Sequence, residues 1–379
     1  MIRVLHTYKT FRPDATGGVA EVISMIVANL KGNFRHSILV GRERGGDRSY
    51  SDEVLSVQAI GSFGLWSSMP IAPRYPKEMI RALKESDLVV HHAPFPLADL
   101  GLLFRRRNGP KLIVHWHAEV VRSSLAVAAA SILVNRSLQQ ASAIVVSDQC
   151  MIERSQLLGR FAEKCVVIPY ATDCRYWSEL TEDECIQVRS LRSKYPDLIV
   201  TTGRLVPYKG HDVLLEAMQN VQASLVVIGE GPLQNRLRAM AANLGLQSRV
   251  HFLGHQPKER LKLFLHAGKV FAFPSTTIAE SFGIAQVEAM AAGLPIVNTN
   301  LATAVPRVAR HELEALTVEP GDPTALASAL SRLLANPTLA FRLGAAAKAR
   351  ARQEYDQQPF VTRIGKVYQD VMRRDAAGT

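Results

Sequence analysis

Two basic side chains follow an apolar, β-branched run in a loop that glycine and proline bound. The run spans residues 198–202, and Arg204 and Lys209 come after it, five positions apart. A forked guanidinium and a compact ammonium together suit the two phosphates of a diphosphate. The alternative is a pair of solvated surface cations, which is the common position of such residues.

Two glutamates further along the chain are eight positions apart. Glu280 and Glu288 flank an apolar stretch, and eight positions are just over two helical turns. If a helix starts near Phe282, the spacing allows both carboxylates to face one cleft. Glu288 lies among apolar residues, so we expect a polar partner for it, and ribose hydroxyls would suit it.

A glycine pair precedes the first helical pattern. Gly17 and Gly18 lie between the apolar run 2–5 and the pattern at 19–30. Two glycines there permit close approach to the backbone, and free N–H groups at a helix start favour an anion. A simple turn is the competing interpretation of this pair.

These residues must be positioned by alternating strands and helices. Helical patterns separate the apolar runs, which indicates βαβ units with sheets covered on both faces. The runs form two series, which predict two doubly wound α/β domains, with a polar joint near 177–197 and a C-terminal helix at 359–374. The predicted strands are 2–5, 37–40, 88–91, 111–115, 143–147 and 166–169, then 198–202, 224–229, 249–253, 269–274 and 295–299.

Composition limits the class of protein. The 379 residues are 47% apolar and 21% charged, a globular balance, with a net charge of +11. This charge suits nucleic acid, an anionic membrane surface or a phosphorylated substrate. The four cysteines lack metal-ligand spacing, and the N-terminus lacks the apolar segment of a signal peptide. We therefore expect a cytoplasmic protein with reduced thiols, whose membrane contact would be peripheral, at the inner face of the cell membrane.

The combined motifs resemble the retaining family-4 glycosyltransferases of the GT-B fold. The resemblance covers nearly the whole chain, is strongest over residues 201–320, and rests on Gly17-Gly18, on Arg204 and Lys209 between glycines, on Gly229-Glu230-Gly231 and on Glu280-x7-Glu288. It implies two Rossmann-like domains that face each other across a cleft: an acceptor-side domain at 1–180, on which helix 359–374 packs, and a nucleotide-sugar-binding domain at 190–355. Two segments resemble bacterial O-antigen and polysaccharide enzymes, several of which use GDP-mannose or related GDP-sugars. These segments are HTYKTFRPDATGG and PIVNTNLATAVPRVARHELEAL.

The resemblance also implies roles for individual residues. Arg204 and Lys209 would bind the donor diphosphate, assisted by the backbone at Gly17 and Gly18, and Glu288 would bind the ribose. Glu280 would hold the donor sugar or its phosphate, together with the backbone N–H groups of Phe282, Gly283 and Ile284. His117 matches the family histidine near the donor sugar, with His115 as a competitor and a packed histidine as the plain alternative.

The acceptor side is less well defined by the sequence. His91 and His92 precede Ala-Pro-Phe-Pro at the end of a predicted strand, where they either face the acceptor or belong to a turn. Tyr8 and Lys9 follow the first predicted strand and are further acceptor candidates. The implied acceptor is a glycan or a polyprenyl-linked glycan.

The implied reaction needs positive charge at the leaving diphosphate. The sequence has no Asp-x-Asp motif, so we expect Arg204 and Lys209 to do the work of a divalent metal, with no cofactor beyond a GDP- or UDP-sugar as co-substrate. Retention implies attack on the same face of the sugar, with the departing phosphate taking the acceptor proton.

The N-terminal third carries the denser positive charge. Trp66 lies in a Gly/Ser-rich loop, and Lys77, Arg81 and Lys84 follow at helical spacing. Such a combination fits contact with anionic lipid, although a solvated helix face explains the basic residues equally well.

Other functions remain as alternatives. A nucleotide-sugar epimerase or a sugar phosphorylase would share the fold, but no lysine has a recognisable pyridoxal-phosphate context. The charge permits nucleic-acid binding, yet no RNA-binding aromatic signature or zinc spacing is present. A dinucleotide dehydrogenase is a further alternative, but the chain has only a fragment of the GxGxxG motif, Gly229-Glu230-Gly231, which Pro232 follows. We therefore predict a hexosyltransferase of cell-surface polysaccharide synthesis, with GDP-mannose as the favoured donor and no nucleic-acid partner.

Overall fold

The apolar runs of the N-terminal half form one mixed β-sheet in a computed structural model that describes residues 1–14, 17–51, 55–66, 69–118 and 125–373. Within those residues the sheet has eight strands in the order β10-β9-β8-β7-β1-β2-β4-β3, and only β3 is antiparallel. The strands and helices are β1 Ile2–Tyr8, α1 Gly18–Asn29, β2 Phe34–Gly41, β3 Arg48–Ser51, β4 Leu55–Ile60, β5 Leu65–Trp66, β6 Met69–Pro70, α2 Tyr75–Lys84, β7 Leu88–Ala93, α3 Pro96–Leu102, β8 Lys111–Trp116, α4 Leu125–Gln140, β9 Ala143–Val146, α5 Gln149–Arg154 and β10 Cys165–Val167.

The second half forms a separate parallel sheet. Its six strands in the described part of the chain have the order β13-β12-β11-β14-β15-β16. The strands and helices are α6 Cys174–Ser178, α7 Glu182–Lys194, β11 Ile199–Thr202, α8 His211–Met218, β12 Leu225–Ile228, α9 Gln234–Asn243, β13 Val250–Gly254, α10 Lys258–Ala267, β14 Val270–Phe273, α11 Ile284–Ala291, β15 Ile296–Thr299, α12 Val305–Val308, β16 Ala315–Val318, α13 Pro323–Ala335 and α14 Pro337–Glu354.

The chain divides into two units. One comprises Met1–Tyr170 and the C-terminal segment from Gln358, and the other comprises Ala171–Gln357. The first unit thus ends before residue 180, the end predicted for the first domain. A last helix, α15 Gln357–Arg373, belongs largely to the first unit, and its buried Tyr368 meets the Phe34 ring edge-on at 5.7 Å; residue 374 lies outside the described residues.

The polar stretch near 177–197 is helical rather than a plain joint. Thr181 caps α7, and its hydroxyl and the Glu184 carboxylate form a reciprocal capping box. Glu184 also pairs with the Lys262 ammonium at 2.9 Å. The Glu184 carboxylate therefore ties α7 to α10 within the second unit.

Burial explains why these runs become strands. β7, β9, β11, β12, β14 and β15 consist of buried residues throughout, as expected for parallel strands covered by helices on both faces. Across the described ranges, we find no helix whose length and hydropathy together would suffice to cross a bilayer.

Candidate functional site

The order of the second sheet identifies where a ligand would bind. β12 and β13 lie on one side of β11, whereas β14, β15 and β16 lie on the other. The direction of winding therefore reverses between β11 and β14. In open parallel sheets, ligands bind at the carboxyl ends of the strands beside such a switch point. The loops that follow β11 and β14 are the candidate site.

These two loops are in close contact. After β11 the chain passes through Gly203 and Arg204 to a 3-10 turn, Pro207–Lys209, and Gly210 then adopts a left-handed φ of 64°. A Cβ at Gly210 would lie 2.0 Å from the Pro274 carbonyl oxygen, so any side chain there would collide with the second loop. Glycine is therefore required at this position both by conformation and by space.

An ion pair links the two loops. The Lys209 ammonium lies 2.5 Å from the Glu280 carboxylate, and the two side chains are only 13% and 10% exposed. The buried Ser275 hydroxyl donates to the same carboxylate at 3.0 Å. The Ser275 carbonyl in turn accepts a hydrogen bond from the Thr299 hydroxyl at 2.6 Å. Strands β11, β14 and β15 thus hold one positive and one negative group in fixed positions.

Glu280 does not lie on the helix that carries Glu288. Helix α11 begins at Ile284, and its N-cap Gly283 has a left-handed φ of 84°. A Cβ at Gly283 would approach the Phe273 ring to 2.7 Å. The helix thus starts within two residues of Phe282, as the sequence predicts. Glu280 reaches the site from the loop before the helix.

The start of α11 offers backbone donors at this site. The N–H groups of Gly283 and Ile284 have no acceptor among the described residues. Together with Phe282, which is buried, they form the turn between Glu280 and the helix. Unpaired N–H groups at a helix start attract an anion.

The structure places Arg204 beside the Lys209 turn with an exposed side chain. No ion pair joins its guanidinium to another residue that the structure describes. Burial raises the pKa of Tyr208, while the charges of Lys209 and Arg204 act in the opposite direction. Both cations are therefore close enough to influence Tyr208 in the same loop. The exposed Arg204 side chain is available to a ligand.

Glu288 lies one turn after Ile284 on α11 and is half-buried rather than enclosed. Its charge is felt by Tyr176 of α6, whose pKa is raised to about 12, mainly by burial and in part by nearby carboxylates. Glu288 therefore lies one helical turn from the Ile284 N–H at the start of α11.

The predicted residues of the first unit lie at its own switch point, between β1 and β7. Gly17 caps α1 and both it and Gly18 are exposed, with nothing within 4 Å of a Cβ built on Gly17. Tyr8 ends β1, and its ring meets the His117 ring edge-on at 6.2 Å. Lys9 follows, with its ammonium 6.0 Å from the Tyr8 ring.

His117 follows β8 and is nearly buried. Its Nε2 lies 2.8 Å from His92 Nδ1, and its Nδ1 lies 2.5 Å from the Tyr170 hydroxyl. Burial, with smaller effects from His115 and His91, holds the pKa of His117 well below its usual range. His115 stacks on His117 with ring centroids 4.4 Å apart, and burial lowers the pKa of His115 to about 3.

The two neighbouring histidines of β7 were expected at the end of a strand. β7 continues to Ala93, so His91 and His92 lie within it, and neither has exposed surface. Adjacent strand residues point to opposite faces. His91 contacts the Thr7 hydroxyl at 2.9 Å, whereas His92 contacts His117. As placed, neither presents a surface to an acceptor, and this corrects the expectation from the sequence.

Metal binding can be considered for one group among the described residues. His92, His115 and His117 have ring nitrogens within 4.8 Å of one another. However, the His92 and His117 rings are almost parallel, with an interplanar angle of 10°, and their facing nitrogens are only 2.8 Å apart. Nitrogens at that distance share a proton, whereas ligands of one metal ion must converge on a common point.

Several contributing residues were missed in the sequence. Ser275 and Thr299 follow or end apolar strands beside the switch point, and that position was a usable signal. Tyr170, His6 and His36 could be recognised only through their neighbours in three dimensions.

Comparison with known proteins identifies the fold and the family. Residues 17–171 match the "Glycosyl transferase 4-like domain" model, and residues 183–350 match "Glycosyl transferases group 1". The D-rhamnosyltransferase WbpZ of Pseudomonas aeruginosa is 28% identical over 93% of this chain and 92% of its own. The O-antigen chain mannosyltransferase C of Escherichia coli is 25% identical over 97% and 98%.

Solved structures agree with this assignment. Sucrose-phosphate synthase from Thermosynechococcus elongatus superposes with a TM-score of 0.83 at 19% identity, covering 99% of this chain and all of that one. Anabaena Alr3699/HepE in complex with UDP and glucose superposes with a TM-score of 0.79 at 20% identity, covering 98% and 100%. The chain therefore belongs to the family-4 glycosyltransferases and has the GT-B fold.

Proposed function

We propose that this glycosyltransferase moves a hexosyl group from a nucleotide sugar to a glycan or lipid-linked glycan acceptor in cell-surface polysaccharide synthesis. The favoured donor is GDP-mannose. Two kinds of relative support this choice: the O-antigen chain mannosyltransferase C, and a mycobacterial mannosyltransferase named as GDP-mannose-dependent that is 26% identical over 92% of this chain. The structures of a neighbour with UDP and UDP-glucose support a nucleotide-sugar donor in general.

The observation that carries the proposal is the ion pair at the switch point of the second sheet. Lys209 is fixed by Glu280 at 2.5 Å, and Arg204 beside it is exposed. A diphosphate bound there would meet two cations that need no rearrangement of the backbone. Phosphate oxygens would add a second partner to Lys209, while Arg204 can bind them with both arms of its fork.

The other residues of the site contact the remaining parts of the donor in this proposal. Glu280 accepts hydrogen bonds from hydroxyls of the donor sugar, and the backbone N–H groups at Phe282, Gly283 and Ile284 hold the sugar or its phosphate, because N–H groups at a helix start favour an anion. Glu288 accepts hydrogen bonds from the ribose hydroxyls, which its half-buried carboxylate can do without losing all contact with water. For Gly17, Gly18 and His117, the roles at the diphosphate and the donor sugar rest on the family resemblance.

The chemistry follows from charge. When the bond between the anomeric carbon and the phosphate breaks, the diphosphate gains negative charge and the sugar ring becomes positive. Fixed donors aimed at the leaving oxygens stabilise that transition state without reorganising. In the retaining mechanism, the acceptor hydroxyl attacks from the face that the phosphate leaves, and the phosphate takes its proton. No metal is required in this proposal.

Thermal unfolding in a panel of nucleotides tests the donor assignment. GDP and GDP-mannose are expected to raise the unfolding temperature more than UDP, ADP or their sugars. A ligand at a hundred times its dissociation constant stabilises the folded state by about 2.7 kcal/mol. GMP should give a smaller shift, since it lacks the second phosphate.

Some results of these measurements would contradict the proposed donor or the proposed reaction. If GMP and GDP shift the unfolding temperature equally, the two cations do not read the diphosphate. A response to UDP compounds alone would reject the GDP-sugar donor while keeping the site. Turnover of the donor without any acceptor would favour an epimerase.

We also propose that the first unit contacts an anionic membrane surface through exposed residues on and near α2. Lys77, Arg81 and Lys84 are exposed along α2. Trp66 is 64% exposed and Phe63 is 81% exposed in the neighbouring segment of sequence. Exposed aromatic side chains with basic residues fit the interface of an anionic bilayer.

Vesicle binding tests the membrane contact. Replacing the three basic residues of α2 by glutamine should weaken binding to phosphatidylglycerol vesicles about a hundredfold at low salt, since each contributes about 1 kcal/mol. Trp66→Ser should weaken it further. Phe341→Ser is the matched control, because Phe341 is 79% exposed but lies on α14 of the second unit. Equal binding by wild type and all variants would reject the contact.

A further inference from the structure

A row of four buried histidines crosses the first sheet. The four strands are adjacent, in the order β2, β1, β7 and β8. They carry His36 on β2, His6 on β1 and His92 on β7, and His117 directly follows β8. None is more than 6% exposed. Successive ring nitrogens are 3.0, 3.1 and 2.8 Å apart, so each ring is hydrogen-bonded to the next.

Strand register produces this row. His36 pairs with Val4, two residues before His6, and His92 pairs with His115, two residues before His117. The same holds for His6, which pairs with Val90, two residues before His92. On each strand, the histidine thus lies two residues beyond the residue that pairs with the preceding histidine. A step of two keeps every side chain on the same face, and it makes the rings diagonal neighbours.

The ends of the row give it a direction. At one end, His36 Nε2 lies 3.1 Å from the Leu30 carbonyl oxygen, which can only accept a hydrogen bond. His36 must therefore carry its proton on Nε2. Burial lowers the pKa of His6, His36, His92 and His117, so each ring is neutral and has a single N–H.

One proton arrangement satisfies every contact. With Nε2 of His36 protonated, its Nδ1 accepts from His6 Nε2, His6 Nδ1 accepts from His92, and His92 Nδ1 accepts from His117 Nε2. His117 Nδ1 then accepts from the Tyr170 hydroxyl, 2.5 Å away. Burial raises the pKa of Tyr170, which keeps its proton on the oxygen. The row cannot reverse, because the carbonyl end has no proton to give.

We propose that His6, His36 and His92 are positioning residues for His117, and that the row fixes the His117 ring in one orientation with its proton on Nε2 and the Tyr170 hydroxyl directed onto its Nδ1. The row is not a path for protons through the sheet, since it ends on a carbonyl. Its consequence for sugar transfer rests on the proposed role of His117 at the donor sugar, whereas the proton arrangement itself does not.

Nitrogen NMR of the full chain labelled at histidine tests the arrangement directly. All four rings are expected as neutral tautomers with a protonated Nε2 and a bare Nδ1. Signals from Nδ1–H tautomers or from charged rings in this row would overturn the proposal. So would stoichiometric metal in the purified protein, if a chelator then changed the nitrogen shifts of His92 and His117.

Two substitutions at His36 then separate positioning from simple packing. His36→Leu removes the acceptor of His6, so Nδ1–H signals should appear at His117, and the KM for the donor should rise about tenfold with a smaller change in kcat. His36→Asn keeps an acceptor oxygen in the place of Nδ1 and should restore both readouts. Equal loss in both variants, or no change at His117 in His36→Leu, would contradict positioning.

A variant at the other end gives an independent measurement. Tyr170→Phe removes only the last donor, so the His117 signals should change while His6 and His92 keep their tautomers. Changes throughout the row would show that the proton arrangement is not set from the Leu30 end. If the wild-type tautomers are as expected but no nucleotide sugar binds, the proposed function fails and the row stands.

Discussion

Replacement of Lys209 by methionine is expected to lower kcat for sugar transfer by about 10²–10³, the usual loss when one fixed transition-state donor is removed. Methionine keeps most of the length and apolar stem of lysine but has no charge. The ammonium is held 2.5 Å from Glu280, and negative charge at the leaving diphosphate grows as the sugar–phosphate bond breaks. The loss should therefore fall mainly on kcat, since the cation acts most strongly on the transition state.

Controls separate catalysis from stability. Lys209→Met leaves Glu280 poorly exposed and without its cation, which is costly, so the unfolding temperature of the variant shows how much of the effect is structural. Lys269→Met is the matched control, because Lys269 pairs with Asp197 just before β14, at the opposite edge of the same sheet. A Lys209→Met enzyme as fast as the Lys269→Met enzyme would contradict the role of Lys209.

Acid is expected to destabilise the protein well above the pH at which carboxylates titrate. Burial lowers the pKa of His6, His36, His92, His115 and His117 in the folded state. Unfolded, these side chains titrate near 6.5, so below that pH the unfolded state binds more protons than the folded state. Stability is thus complete above pH 6.5 and is lost as the pH falls, by about 1 kcal/mol per histidine between pH 7 and 5.5.

Urea unfolding at pH 7, 6 and 5.5 measures this dependence. The free energy of unfolding should fall by several kcal/mol over that range. His36→Asn should reduce the slope, because it removes one of the buried histidines. The carboxyls with lowered pKa, such as Asp14 and Asp87 beside their arginines, contribute only at lower pH. Stability that does not change between pH 7 and 5.5 would mean that these histidines are not buried and neutral.

Much of the fold could be predicted from local patterns. Runs such as 198–202 and 269–274 contain strands β11 and β14, because strands buried on both faces leave a continuous apolar signal. Strands β3, β4, β5, β6 and β16 were missed. β3 and β5 are exposed, and β4, β6 and β16 are only partly buried, so none of them leaves a continuous apolar signal. The stretch around Glu184 was interpreted as a joint because its helix is mostly polar.

The sequence singles out part of the candidate site. Features that follow directly from neighbouring residues in the sequence could be predicted, whereas contacts between distant parts of the chain could not. Lys209 and Glu280 could be singled out because both follow apolar strands, and parallel strands bring their carboxyl ends to one edge. Their direct pairing could not be predicted, since it depends on the left-handed turn at Gly283 that keeps Glu280 off the helix. The histidine row depends on register across four strands, which no local pattern encodes.

Sugar transfer in the presence of a chelator tests the central claim most directly, namely that Lys209 and Arg204 rather than a divalent ion neutralise the leaving diphosphate. With the nucleotide sugar that stabilises the protein, turnover in EDTA should stay within about twofold of turnover in Mg²⁺, because no step needs metal assistance. Activity that disappears in EDTA and returns on addition of Mg²⁺ or Mn²⁺ would contradict the claim.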